Sequence, residues 1–370
     1  MKFKINRKDL AKHIFIVQRA ISARTTMQIL EGILIKSKDN KISLTATDTE
    51  ISIVTETSAL VEEEGQIVVN GRLFGNIIRK LNNDDIFIKV ENFNMNIKCG
   101  NSEFNISVQN AEGYPALPNI KKDKVFSLSV DELKSAIRKT SFAVSLDETR
   151  MEFTGVYMDF LQDHINFVAL DGFRMAIMKI NKNTGFTSSA IVPSRSFVEL
   201  EKILDDDKKD IVINLESNNI VFEFGNTVFY STLISGKFFD YENLLRDSYK
   251  IQTSVIRSEF QSAFERASLL AREDRANLVE MTLNNEEIYI DSKSEIGNVH
   301  EVINCSQIGE NLKIAFNSRY ILEGIKIMET DNIILNLTDF INPCIIKEED
   351  NEDYIYLVLP VRLAQWWKKK

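Results

Sequence analysis

Arg72, Arg195 and Arg319 stand 123 and 124 residues apart, each at the head of an apolar-periodic run. Asn70-Gly71-Arg72 opens the run to Leu81, Pro193-Ser194-Arg195 the run to Leu204, and Asn317-Ser318-Arg319 the run to Met328. Basic side chains on such helices, without base-reading partners, hold phosphates regardless of sequence. The carboxylates to consider for acid–base or metal work are Asp48 and Asp171, again 123 residues apart. Each ends a strand, where capping a turn is the ordinary role of an aspartate. They occupy equivalent places in different repeats, which gives them no reason to meet. His13, His164 and His300 are isolated, with no His or Cys at ligand spacing, so neither a metal nor another cofactor is expected. The chain has no Gly-x-x-x-x-Gly-Lys loop and no Gly-x-Ser-x-Gly elbow, and no catalytic residue is expected.

A repeated scaffold must carry these residues. Each arginine run follows a short apolar strand: Ile67-Val68-Val69, Ala190-Ile191-Val192 and Lys313-Ile314-Ala315-Phe316. Leu10, Ile14, Val17 and Ile21 keep a 3.6-residue period, and Leu133 restarts that stripe 123 residues later. The third copy has drifted, with Phe260 following Leu133 by 127. A period this long exceeds a solenoid repeat and equals a whole domain. Strands predominate between the helices, so the class is α+β with three similar domains. Gly113 to Pro118 with Lys121 to Lys124, and then Gly236 to Tyr249, read as junctions. The domains are therefore 1–120, 121–248 and 249–370.

Bulk composition narrows the class. No run of 18 apolar residues appears, and the N-terminus turns polar too soon for a signal peptide. Cys99, Cys305 and Cys344 have no metal spacing and suit a reduced, cytoplasmic compartment. A net charge of −9 argues against nucleic acid until its distribution is examined. Helices placed at 7–20, 72–80, 131–143, 195–204, 257–272 and 319–328 carry 17 Lys and Arg against 8 Asp and Glu. Scattered basic residues on a solvated face are common; a surplus recurring in matching positions favours a phosphate-holding surface on an acidic chain.

Several segments together resemble a known family: Met1-Lys2-Phe3, Leu44 to Asp48, Ala169-Leu170-Asp171-Gly172-Phe173-Arg174-Met175-Ala176, and Leu357-Val358-Leu359-Pro360-Val361-Arg362-Leu363. They are similar to the beta subunit of bacterial DNA polymerase III, the sliding-clamp family, from Met1 to Leu363. The resemblance implies the DNA-clamp fold, with antiparallel sheets outside and two helices per domain inside, and a head-to-tail homodimer closing a ring. It implies double-stranded DNA threading the ring, independent of sequence, with processivity conferred by topology and no chemistry of the chain's own. DNA-facing positions map to Arg24, Arg72 and Arg195, with Lys12, Arg79, Arg138 and Arg319 as further candidates on the helices. A pocket for clamp-binding peptides of polymerase, clamp loader and repair proteins maps to Phe153, Leu170, Gly172, Phe173, Arg174, Met175, Phe239, Asn243, Leu244, Ile341, Val358, Leu359, Pro360, Val361, Arg362 and Leu363. The dimer seam would set Phe104 and Ile106 against Leu269 and Leu270 of the other chain. The chain departs from the family's pattern at Phe173, often His, at Phe239, often Pro, and at Asn243, where Arg can occur. It also continues past Leu363, and Trp366 and Trp367 are expected near the pocket mouth.

From the residues alone, ordinary core packing is the favoured reading of Met175, Leu359 and Val361. Two other readings also stay open: an enzyme using Asp48 or Asp171, and a clamp-derived protein scaffold that has lost DNA.

Overall fold

The computed structural model describes residues 1–22, 25–205, 210–245, 249–272 and 277–362. Residues 1–133 and 195–233 pack as one compact unit; residues 134–194 and the chain from 234 onward pack as another. The cut passes through the middle repeat, whose strands are shared between the two units. The described helices are α1 (Arg7–Val17), α2 (Gly71–Lys80), α3 (Val130–Thr140), α4 (Ser194–Glu201), α5 (Arg257–Ala271) and α6 (Ser318–Ile325).

In the first unit, a five-stranded sheet runs Leu60–Glu63, Lys2–Asn6, Asp85–Glu91, Asn94–Cys99, Ser102–Ser107. An eight-stranded sheet joins first-repeat and second-repeat strands, with Ile51–Ser58 antiparallel to Thr227–Thr232 and Phe229 opposite Ile53. The second unit repeats this plan. A nine-stranded sheet couples Arg174–Ile180 to Asn351–Val358, with Met175 opposite Leu357, and a four-stranded sheet has Gly297–Asn304 at its edge. Every strand pairing among the described residues is antiparallel.

The recurring Asn-x-Arg is a helix start with a physical cause. Asn70 Oδ1 accepts from the Leu73 N–H at 2.9 Å, and Asn317 Oδ1 from the Arg319 N–H at 3.0 Å. Each satisfies a backbone donor that the first helical turn leaves unpaired. Ser129 and Glu132 close a reciprocal capping box at the head of α3, with Ser129 N–H on Glu132 Oε2 at 2.8 Å and Glu132 N–H on Ser129 Oγ at 3.2 Å. The apolar stripes face inward as the spacing requires: Leu10, Ile14 and Val17 on α1 are buried, as are Phe260, Phe264, Ala267 and Ala271 on α5.

Helix ends depart from the periodicity. The apolar pattern runs to Leu204 and Met328, but α4 stops at Glu201 and α6 at Ile325. Ile203 N–H turns back to Leu200 O and Met328 N–H to Ile325 O, so the chain tightens to three-residue bonds. Ile203, Leu204 and Met328 stay buried all the same. Periodicity reports burial, and burial continues beyond the last helical bond.

Candidate functional site

Ile165–Leu170 and Arg174–Ile180 form a hairpin in the second unit with Leu170 opposite Met175. Its turn is fixed locally. Asp171 Oδ1 accepts the Phe173 and Arg174 N–H groups at 2.9 and 3.0 Å, and Gly172 takes φ +89°. That left-handed backbone favours glycine because a Cβ would clash with its own carbonyl. The turn presents Phe173 outward, 58% exposed, and Arg174 inward, 6% exposed. The Leu359 N–H bonds Phe173 O at 2.9 Å and brings the chain after Val358 alongside the hairpin.

Between them lies an apolar cavity of about 220 Å³. Phe153, Leu170, Gly172, Phe173, Arg174, Met175, Phe239, Leu244 and Leu359, all expected from the sequence, line it together with Arg150 and Leu357. Its floor continues into a cluster of buried Val168, Ile177, Ile191, Phe238, Tyr241 and Ile345. Phe238 stacks on Tyr157 at 4.6 Å, and Tyr241 donates to Asp159 at 2.8 Å. Leu357 was readable in principle, since it stands two residues before Leu359 on one strand face. Arg150 was not. It breaks the helical turn Glu148–Phe153 with φ −124° and ψ 77° and sets its guanidinium 5.7 Å from the Phe153 ring centre.

The other expected pocket residues that are described do not line this cavity. Val358 is buried in the sheet, paired with Arg174 and Cys344. Val361 N–H bonds Ala315 O at 2.8 Å, Pro360 is half-buried, and Arg362 is exposed. Asn243 is exposed and donates to Asp240 at 2.7 Å; Ile341 is 48% exposed, its N–H on Asp339 at 2.8 Å. Leu363, Trp366 and Trp367 lie outside the described residues.

Arg174 is the best-satisfied charge in the wall. It donates to Asp171 at 3.0 Å, to Phe142 O at 2.9 Å and to Glu323, and its guanidinium faces the rings of Tyr320 and Phe142. Glu323 is shared, for Arg319 Nε donates to its other oxygen at 2.7 Å. Burial alone would raise the Glu323 carboxyl; hydrogen bonds from Arg319 and Arg174 outweigh it and hold the group below the usual carboxylate range.

The basic candidates divide by partner. Arg72 is exposed on α2 with no ion-pair partner among the described residues. Arg79 and Arg138 are also exposed, Arg79 donating to Asn76 at 2.5 Å. Lys12 pairs with Asp205 at 2.8 Å, and Arg195 with Asp48 at 2.5 Å and Glu50 at 3.5 Å. Arg319 pairs with Glu323, and Arg24 lies outside the described residues. Some cations in the helical surplus have internal work. Arg7 donates to Ile78 O and Arg79 O, capping the end of α2, and Arg257 donates to Thr330 O at 2.8 Å. Lys139 is buried against Glu348 at 2.8 Å. The surplus counted from sequence therefore overstates the charge these helices present to solvent.

Asp48 behaves as its counterpart does. Its Oδ1 accepts from Glu50 and Ile51 N–H groups at 3.1 and 2.8 Å, so both aspartates cap turns. The histidines make ordinary hydrogen bonds: His13 with Thr55, His164 with Asp163 and His300 with Asp291. Among the described residues no group of His, Cys, Asp or Glu is arranged to hold a metal, and no helix is long and apolar enough to cross a membrane. Of the seam candidates, Phe104 is 39% exposed and Ile106 half-buried on the edge strand Ser102–Ser107, while Leu269 is 65% exposed and Leu270 half-buried on α5.

Comparison with known proteins agrees along the length of the chain. Models of the DNA polymerase III beta subunit match as its N-terminal domain over residues 1–118, its central domain over 127–240 and its C-terminal domain over 243–362. The beta sliding clamp of Staphylococcus epidermidis is 36% identical over 374 residues, covering 98% of this chain and 99% of that one. The crystal structure of the DNA polymerase sliding clamp from Bacillus subtilis superposes with a TM-score of 0.95 at 35% identity, covering 98% and 99% of the two chains. The beta subunit from Streptococcus pyogenes gives a TM-score of 0.95 at 27% identity, covering 98% and 100%. On this full-length match of sequence and fold, the chain belongs to the bacterial DNA polymerase III beta subunit family, the beta sliding clamps.

Proposed function

We propose that two copies of this chain close head to tail into a ring around duplex DNA and tether the replicative polymerase through the apolar cavity. As a member of its family the chain is a processivity clamp, and it performs no chemistry itself. The observation that carries the reading is the match to solved sliding clamps over 98% of the chain.

Three features support the finer statements. The cavity is the size of a few side chains, apolar within and bordered by exposed Phe173, Phe239 and Leu359, which suits a short peptide with aliphatic and aromatic anchors. Such peptides would come from polymerase, clamp loader and repair proteins. Exposed Arg72, Arg79 and Arg138 suit sequence-independent phosphate contact, with Lys12 and Arg319 available by exchange of surface ion pairs worth little in water, whereas Arg195 is tied to the buried Asp48 carboxylate and is freed at greater cost. The edge strand Ser102–Ser107 offers unpaired backbone, and Phe104 and Leu269 offer apolar area, for a seam between copies. We place the domain boundaries after 120 and 248 and the protein in the cytoplasm.

The test is primer extension by the cognate polymerase and clamp loader on a singly primed circle. The wild-type clamp should lengthen products at least tenfold. Phe173→Ala with Leu359→Ala should abolish the gain while sedimentation still reports a dimer. Equal product lengths with that double variant would remove the peptide assignment.

A further inference from the structure

Helix α6 lines one concavity of the second unit and, through Tyr320 and Glu323, touches two residues that line another. The latter is the apolar cavity, which Phe173 and Arg174 line. The former is a polar hollow of about 410 Å³ whose lining includes Arg272, Arg319, Lys326, Ser318 and Glu323. Arg272, Arg319 and Lys326 are cationic against Glu323 in the lining and Glu265, which pairs with Lys326 at 3.3 Å, so one positive charge is left over and the hollow favours an anion such as phosphate. Tyr320 stacks on Phe173 with ring centres 6.0 Å apart and planes at 17°. Glu323 places one carboxylate oxygen on Arg319, in the hollow, and the other on Arg174, in the cavity wall.

We propose that Glu323 is a positioning residue that couples anion binding in the hollow to peptide binding in the cavity, each strengthening the other. The coupling builds on the peptide and DNA reading above.

Its sign follows from charge. A phosphate that takes Arg319 removes one of the two cations on Glu323 and repels its carboxylate. The carboxylate then has Arg174 alone as partner and moves toward it. Arg174 is held more firmly in the cavity wall, and with it the turn that carries Phe173. Less ordering is then left for the peptide to impose, so its affinity rises. Linkage makes the effect reciprocal: peptide in the cavity must tighten anion binding by the same factor. Glu323 is about one-third exposed, so screening keeps the factor near the low end of typical couplings, about fivefold.

The experiment measures the affinity of a fluorescein-labelled peptide rich in Leu and Phe for the full chain by anisotropy. It is run with and without inorganic tripolyphosphate, at matched ionic strength in chloride. Wild type should bind the peptide about fivefold tighter with tripolyphosphate. Glu323→Gln and Arg319→Gln, checked for folding by circular dichroism, should each lose that dependence; a merely structural role would lower affinity equally in both buffers. Peptide binding by wild type that ignores tripolyphosphate, or a dependence that survives Glu323→Gln, overturns the coupling and leaves the peptide site standing. Failure of wild type to bind the peptide at all overturns both.

Discussion

Thr49 sits at φ +79° in the turn after Asp48, where the matching turn after Asp171 has Gly172 at φ +89°. A β-branched residue in that region is strained by about 1–2 kcal/mol. Its N–H is held by Thr47 Oγ1 at 3.0 Å, which keeps the turn closed despite the strain. Thr49→Gly is therefore expected to stabilise the protein by about 1 kcal/mol, read as a higher urea midpoint. A second residue pair should show the opposite. Lys139 and Glu348 are both buried, and Glu348 also accepts the Glu329 N–H at 2.6 Å and Asn351 Nδ2 at 2.6 Å. Lys139→Met strands that carboxylate and should cost about 3–5 kcal/mol, whereas Lys139→Met with Glu348→Leu should recover most of the loss. Burial would raise the Glu348 carboxyl, but the hydrogen bonds from Lys139 and the Glu329 N–H lower it below its ordinary value. A lowered native value means stability that is complete above the unfolded carboxyl's pKa of about 4.3 and fades as pH falls through the native one. Urea midpoints should thus drop as pH falls below about 4.3, and Glu348→Gln should flatten that drop. The two turn aspartates were legible in sequence by their shared offset. The pairs Lys139–Glu348 and Arg174–Glu323 were not, because ion pairs that join residues far apart in the chain leave no periodic trace.

Glycine separates two helix contacts that look alike in sequence. A Cβ at Gly324 of α6 would lie 2.0 Å from Cε1 of the fully buried Tyr356 ring. The ring cannot leave, so Gly324→Ala should cost about 1–3 kcal/mol through overpacking, more than the helix propensity it gains. At Gly75 of α2 the Cβ would meet the Gln18 side-chain amide at 2.3 Å, the far end of a flexible side chain. Gln18 can swing away at the cost of its 2.6 Å bond to Gly71 O, roughly 1 kcal/mol, which the gain in propensity offsets. Gly75→Ala should leave the melting temperature nearly unchanged while Gly324→Ala lowers it by several degrees. Helix starts were legible because Asn70 and Asn317 cap them locally. Helix ends and the direction of basic side chains were not. Arg7 and Arg257 carry the same charge as Arg72, yet they bond backbone carbonyls rather than face solvent. Only the packing of one element on another decides that.

Three similar domains follow from the spacing of Arg72, Arg195 and Arg319, and the family models cover the chain in three segments. The residues that would join copies were less legible than the repeat. Edge position is a property of the sheet, and the strand Ser102–Ser107 reads from sequence like any other exposed strand. The acidic total was misleading for the same reason, because a net charge of −9 says nothing of which face each cation occupies. If a closed ring retains the duplex by topology, retention depends on the DNA having no free end. The most direct measurement loads labelled clamp onto a nicked circular plasmid, isolates the complex at about 0.2 M salt, and then cuts the circle once with a restriction enzyme. The expected result is stable retention on the circle and release within minutes of linearisation, with Arg72→Glu and Arg79→Glu together loading poorly. Equal retention on circular and linear DNA, or release from both as salt rises, would contradict a ring that holds by encirclement.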